Sequence, residues 1–172
     1  TSRSLSGDHT LKGGYGRDNL TATGKKVTLE GGDENDNISA YGYIDKEGSR
    51  SYLEDGEATI SGGGGNDNIY VEYYKTVNGE GGEGNDYINL NNIKGDIEVD
   101  LGNGDDSLNS ENTEASFVIK GKEGKDYISG YRGLKAEIEG GTGDDTLYLY
   151  DFLTGTISVS YTHLTLPTTS CV

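Results

Sequence analysis

An eight-residue string recurs seven times along this chain and dictates most of what it can fold into. The copies are GGYGRDNL from residue 13, GGDENDNI from 31, GGGGNDNI from 62, GGEGNDYI from 81, LGNGDDSL from 101, GKEGKDYI from 121 and GGTGDDTL from 140. Their starts lie 18, 31, 19, 20, 20 and 19 residues apart. Glycine fills the first, second and fourth positions in six of the seven copies, aspartate fills the sixth in all, and Leu or Ile fills the eighth in all. Neither a helix nor a plain strand suits such a string, because glycine is poor in both and Asn and Asp favour turns. Self-similarity at a near-constant period marks a stacked array in which each unit packs mainly on its neighbours.

Between the turns, apolar residues fall at alternate positions. Val27 and Leu29, Ala58 and Ile60, Ile97 and Val99, Phe117 and Ile119, and Ala136 and Ile138 lead into motifs; Ala22, Ala40, Val71, Leu90, Ser110, Gly130 and Leu149 follow two residues after the eighth position. A period of two means strands. Each unit therefore holds two short strands and two turns, with inward side chains that are few and often small. Composition agrees, since hydrophobic residues are only 31% of the chain and glycine supplies 29 of 172 residues, too little apolar bulk for a thick core. The predicted fold is all-β: a parallel β-roll or β-helix solenoid of about 19-residue coils with one motif turn per coil. The interval from 31 to 62 exceeds 19 by 12 residues. Its surplus, GYIDKEGSRSYL at residues 42–53, is charged and reads as an irregular loop extruded at the turn opposite the glycines.

Stacking such coils has an electrostatic consequence. Neighbouring strands lie ~4.8 Å apart, so Asp18, Asp36, Asp67, Asp86, Asp106, Asp126 and Asp145 form a column at about that spacing. Two carboxylates ~5 Å apart repel by roughly 3 kcal/mol at an effective dielectric of about 20, and several such pairs rival the ~5–15 kcal/mol stability of a whole domain. Nearby bases (Arg17, Lys122, Lys125) are too few and irregular to answer them. Calcium fits: it takes 6–8 oxygens at ~2.3–2.6 Å from carboxylates and carbonyls, and an ion midway between two coils is ~2.4 Å from each. Magnesium wants stricter octahedral geometry, and zinc wants the His or Cys these turns lack. The net charge of −16 points the same way, favouring cations over nucleic acid or an anionic membrane. No segment is long and apolar enough to span a membrane, and no signal peptide opens the chain.

With these residues in view, the chain resembles the RTX, or haemolysin-type calcium-binding, repeat proteins, whose signature is GGxGxDxUx. The resemblance covers residues 13 to about 158. It implies a right-handed parallel β-roll that binds calcium in its turns, secretion from a Gram-negative bacterium by the type I route, and folding outside the cell where calcium is abundant. The ligands it implies are the seven aspartates and the backbone around Gly14, Gly16, Gly32, Gly63, Gly65, Gly82, Gly84, Gly102, Gly104, Gly124, Gly141 and Gly143. One departure stands out: the family's nine-residue repeat places the motif at both turns of an 18-residue coil, whereas here only one turn per coil carries it. The expectation is one column of ions, at most six between seven turns, which would take the charge from −16 to −4. Glu34 and Lys122 stand where the pattern wants glycine and are expected to weaken their turns.

The last fourteen residues, VSYTHLTLPTTSCV at 159–172, break the pattern, with no glycine, no charge, the only Pro (Pro167) and the only Cys (Cys171). VSYTHLTLPT resembles an in-frame translation of a transposon-end sequencing adaptor. The expected organisation is a repeat module over residues 1–158 and a non-native tail over 159–172. Without an initiating Met, the module reads as a piece of a larger protein, and a Cys-free acidic chain suits secretion without disulfides.

Blander readings compete. A Gly- and Asp-rich acidic stretch can be disordered, or a calcium-free β-helix whose Asx residues only form turns. DENDNI at 33–38 faintly suggests an EF-hand but lacks the Gly and Glu that loop needs. No Ser–His–Asp or Cys–His set is present, so the module is not expected to be an enzyme. The main alternative is a carbohydrate-binding or polysaccharide-modifying β-helix module with a polysaccharide or cell-surface partner, because Tyr70, Tyr87, Tyr127, Tyr131, Tyr148 and Tyr150 fall at outward strand positions. Acids and aromatics aligned in one groove would favour that alternative, and acids confined to the turn column would favour calcium.

Overall fold

The computed structural model describes residues 2–6, 8–46, 49–53, 55–111 and 113–160. Among these residues every regular element is a strand. After each motif aspartate comes a short strand: β3 (Asn19–Thr23), β5 (Asn37–Tyr41), β9 (Asn68–Glu72), β11 (Tyr87–Asn91), β13 (Ser107–Glu111) and the first parts of β15 (Tyr127–Thr142) and β16 (Thr146–Ser160). Before each motif comes a longer one that runs into the glycines: β2 (His9–Tyr15), β4 (Lys26–Asp33), β8 (Glu57–Gly64), β10 (Thr76–Glu83), β12 (Asp96–Asn103), β14 (Ala115–Glu123) and the later part of β15. Strands of one kind pair only with their own kind in the next coil, always parallel. The first stack begins at β1 (Ser2–Ser6) beside β3. Two parallel stacks thus face each other, joined where β15 runs continuously from one into the other.

Repeat and register coincide. The eighth-position residues Leu20, Ile38, Ile69, Ile88, Leu108, Ile128 and Leu147 pair each with the next. Facing them, Val27, Ala58, Val77, Ile97, Phe117 and Ala136 form one ladder, and Leu29, Ile60, Gly79, Val99, Ile119 and Ile138 another. All the apolar members are buried. Because side chains alternate across a strand, each coil contributes only a few inward residues, and the core is as thin as the composition requires.

The two edges of this slab are closed differently. At one edge sit the motif turns. At the other, Tyr74, Ile93 and Thr113 are fully buried in successive coils. Tyr74 packs into space left by Gly42 and Gly56, where a Cβ would lie 3.0 Å from its Cδ1. Phe152 leans over Gly130 and Gly133 and meets Phe117 edge-on at 5.1 Å. Packing fills that edge, and exposed ion pairs of Asp55 with Lys25 and Lys75 and of Arg132 with Asp151 lie over it. The surplus segment lies there, between β5 and β8. Instead of an irregular loop it forms an antiparallel hairpin of β6 (Tyr43–Lys46) and β7 (Ser49–Tyr52). Tyr43 anchors its base against Tyr41 at 5.8 Å and Tyr73 at 5.6 Å. Of the fourteen residues at the end of the chain, Val159 and Ser160 continue β16, and 161–172 lie outside the described residues.

Candidate metal centre

Each motif turn is shaped by glycines whose absent side chains let one coil sit on the next. Gly82 shows the pattern: its φ is 120°, and a Cβ there would overlap the carbonyl of Gly63 in the coil before. Gly104, at the fourth position with φ 138°, stands in the same relation to the carbonyl of Gly84. Backbone oxygens at the second and fourth positions therefore point along the stack, toward the next coil. First-position glycines have a different neighbourhood. A Cβ on Gly31 would run into both the Oδ2 of Asp36 in its own turn and the carbonyl of Gly62 in the next. Gly62, with Asp67 and Gly81, and Gly81, with Asp86 and Leu101, repeat that arrangement. A carboxylate oxygen and a carbonyl oxygen thus face the same glycine-vacated space.

The seven aspartates are brought together as a single in-register column, each no more than 3% exposed. They are linked by one repeated bond. The N–H of Asp18 donates to Oδ1 of Asp36 at 2.7 Å, that of Asp36 to Asp67 at 2.7 Å, and that of Asp67 to Asp86 at 2.8 Å. Asp86 donates to Asp106 at 2.7 Å, Asp106 to Asp126 at 3.0 Å, and Asp126 to Asp145 at 3.1 Å. Only Oδ1 is satisfied in this way. The Oδ2 atoms of Asp36, Asp67, Asp86, Asp106, Asp126 and Asp145 are buried with no hydrogen-bond donor. Buried acceptors are ordinarily paired, and leaving a charged one unpaired is costly.

The acid–base behaviour of the column reflects this. Burial pushes the carboxyls of Asp86 and Asp106 up to about 7 and those of Asp67 and Asp126 up to about 6. In each case the N–H donated from the preceding coil opposes the shift, and the neighbouring carboxylate adds to it. Asp36 is raised for the same leading reason.

This donor set fits a hard cation. Every candidate donor is an oxygen, each turn from the second to the seventh offers one carboxylate with an unshared buried oxygen, and carbonyls fill the space between turns. Among the described residues no three His, Cys, Asp or Glu side chains converge as a metal cluster. An ion here would depend on the backbone for most of its ligands, which is the calcium habit and not the zinc one.

Two features lay beyond the sequence reading. Fifth-position side chains form a second, exposed ladder running the opposite way. Oδ1 of Asn35 accepts from the N–H of Asn66, Asn66 from Asn85, Asn85 from Asp105, and Asp105 from Lys125, at 2.9–3.0 Å. The signal was available, since five of seven copies carry Asn or Asp there. Glu34 and Lys122 also keep the turn geometry, with φ of 72° and 81°, so both occupy a left-handed conformation that favours glycine.

The RTX calcium-binding nonapeptide repeat matches the chain in four copies, at residues 10–42, 54–72, 80–92 and 137–154. The turns beginning at 101 and 121 lie outside the matches; these open with Leu101 in place of Gly and carry Lys122. Both nevertheless extend the aspartate column unbroken. No curated protein and no solved structure matches the chain.

Proposed function

We propose that this chain, built on RTX calcium-binding nonapeptide repeats, is a calcium-bound β-roll module of a larger secreted bacterial protein that completes its fold outside the cell. The observation that carries the reading is the row of buried aspartates, in which Asp36, Asp67, Asp86, Asp106, Asp126 and Asp145 each have one oxygen satisfied by the preceding coil and the other facing the glycine turn unsatisfied. Between consecutive turns, the Asp side chain and the stacked carbonyls beside the second- and fourth-position glycines would hold the ion. Bound calcium supplies the positive charge that lets carboxylates ~5 Å apart stay ionised. At most six ions fit between seven turns, all along one edge, because the other edge is filled by Tyr74, Ile93 and Phe152. In the scarcity of calcium inside a cell, the column would keep the chain open; outside, binding free energy becomes folding free energy. The role is structural rather than catalytic, a folding-triggered module or rigid spacer. The module is assigned to residues 1–158 and the remainder to a foreign tail, so cutting the chain after Ser158 should leave its calcium response intact.

Far-ultraviolet circular dichroism during calcium titration tests this. The expected result is a coil-to-β change that a chelator reverses and that magnesium at equal concentration does not produce. A spectrum indifferent to calcium would refute the reading.

A further inference from the structure

The two outer faces of the slab differ in a way that folding does not require. On the stack holding β3, β5, β9, β11, β13 and the first parts of β15 and β16, outward side chains come from the seventh, ninth and eleventh positions of each repeat, and none is buried. Of these 21 positions only Glu72 and Glu111 carry charge. The rest are Tyr, Asn, Ser and Thr, with no aliphatic residue among them. On the opposite face, across β4, β8, β10, β12, β14 and later β15, 11 of the 18 corresponding positions are charged. Both faces have the same strand geometry, so β-propensity alone does not separate them.

The neutral face is also organised. Tyr131 and Tyr150, on adjacent rungs, stack with centroids 5.2 Å apart and planes 2° apart. Tyr127 and Tyr148 pair at 5.7 Å, and Tyr70 and Tyr87 at 5.9 Å. Amides lie between the rings: Nδ2 of Asn89 and of Asn109 both donate to the Tyr87 hydroxyl, at 3.4 and 3.5 Å. From these observations we infer that this tyrosine–asparagine face binds a neutral polysaccharide chain.

Chemistry selects that occupant. A sugar ring presents a C–H face that packs on an aromatic ring, and a rim of hydroxyls that pair with amides and phenols. Neutral hydroxyls ask for no charge, and the face offers little: Glu72, Glu111 and, at its border, the Arg132 guanidinium, 5.4 Å from the Tyr131 ring and paired with Asp151 at 3.9 Å. A protein partner would instead want an apolar centre of aliphatic or Phe side chains, or complementary charge, and neither is present. A polyanion such as alginate would meet a chain of net charge −16 with no basic residue at these 21 positions. Rungs ~4.8 Å apart approximate the length of one sugar ring along an extended glycan, so adjacent rings can sit on adjacent rungs. Apart from Glu72 and Glu111, the acids lie on the opposite face or along the edges rather than among the rings, so the face reads as a binding surface. The inference needs the fold and not the metal.

Native affinity electrophoresis of the full chain, in calcium, tests it. The gels would contain hydroxyethyl cellulose, galactomannan or glycogen, with alginate and a polymer-free gel as controls. Retardation in at least one neutral polymer, unchanged by high salt, is expected. Replacing a ring pair by Tyr127→Ala with Tyr148→Ala should weaken it about tenfold or more, as loss of ring contacts implies, while the Phe replacements at the same positions keep most of it. Glu98→Gln on the charged face should change nothing. Circular dichroism of each variant confirms an unaltered fold. Retardation by alginate alone, none in any neutral polymer, equal retardation of the Ala variant, or a dimer formed through this face in sedimentation would each overturn the inference.

Discussion

Replacing Asp106 by Asn should change the stability of the chain in opposite directions with and without calcium. The side chain is 2% exposed. Its Oδ1 accepts from the N–H of Asp86 at 2.7 Å, its own N–H donates to Asp126 at 3.0 Å, and its Oδ2 has no donor. An amide keeps both bonds and removes one charge. Burial, then Asp86 and Asp126, raise the Asp106 carboxyl from 3.8 to about 7, which at 1.36 kcal/mol per unit is about 4 kcal/mol. The sign follows from linkage. An acid whose folded-state value is raised costs nothing below its unfolded value near 4, costs progressively more as pH climbs toward 7, and costs the full amount above. In chelator, Asp106→Asn should therefore stabilise the β-roll by about 4 kcal/mol at pH 8 and leave it unchanged at pH 3. In calcium the same carboxylate is a ligand, and its loss should cost about 3–5 kcal/mol, the scale for breaking a buried charge pair. Circular dichroism checks both arms: in chelator the pH at which β structure is lost should rise, and in calcium the urea midpoint should fall. An effect of the same sign in both, or one independent of pH in chelator, would refute the reasoning.

The carboxyls of Asp67, Asp86, Asp106 and Asp126 are all raised, by burial first and by neighbouring carboxylates second, so each costs more stability as pH climbs; without calcium the chain should be unfolded near neutrality and gain β signal as pH falls below about 5. Glu34→Gly should stabilise the calcium-loaded chain by about 1 kcal/mol in a urea melt, because Glu34 sits at φ 72°; destabilisation would mean the turn is not left-handed. Gly82→Ala adds a methyl overlapping the Gly63 carbonyl at φ 120° and should cost about 3 kcal/mol or more, read as a lower melting temperature in calcium. Tyr74→Phe removes a buried hydroxyl that has no partner and should be neutral or stabilising by about 1 kcal/mol, whereas Tyr74→Ala should cost about 3–5 kcal/mol; equal losses would place the hydroxyl in a bond.

How much of this was legible in the sequence depends on what a repeat can encode. Periodicity says which residues lie above one another. It therefore announced the ladder from Leu20 to Leu147, the thin core and the aspartate column. It does not say which atoms meet. That Oδ1 of each aspartate from Asp36 to Asp145 reaches back to the previous coil, leaving Oδ2 bare, depends on turn geometry that no residue-level pattern records. The opposite edge stayed hidden for another reason. Tyr74, Ile93, Thr113, Gly133 and Phe152 fill it by shape, each fitted to its neighbours, and share no chemistry that a motif could show. The 42–53 segment looked irregular because its sequence carries no alternating apolar face, yet Tyr43 to Lys46 finds a partner strand in Ser49 to Tyr52. Fifth-position Asn and Asp were visible as turn formers, but their ladder is a property of stacked turns and not of any one turn.

Anomalous X-ray diffraction from crystals grown in calcium tests the central claim most directly, because it places the ions. A single file of peaks along the aspartate edge is expected, each beside the Oδ2 of a motif aspartate and between two glycine turns, with none along the edge closed by Tyr74 and Phe152. Peaks scattered over the outer faces, or an aspartate column in register with no ion beside it, would contradict it.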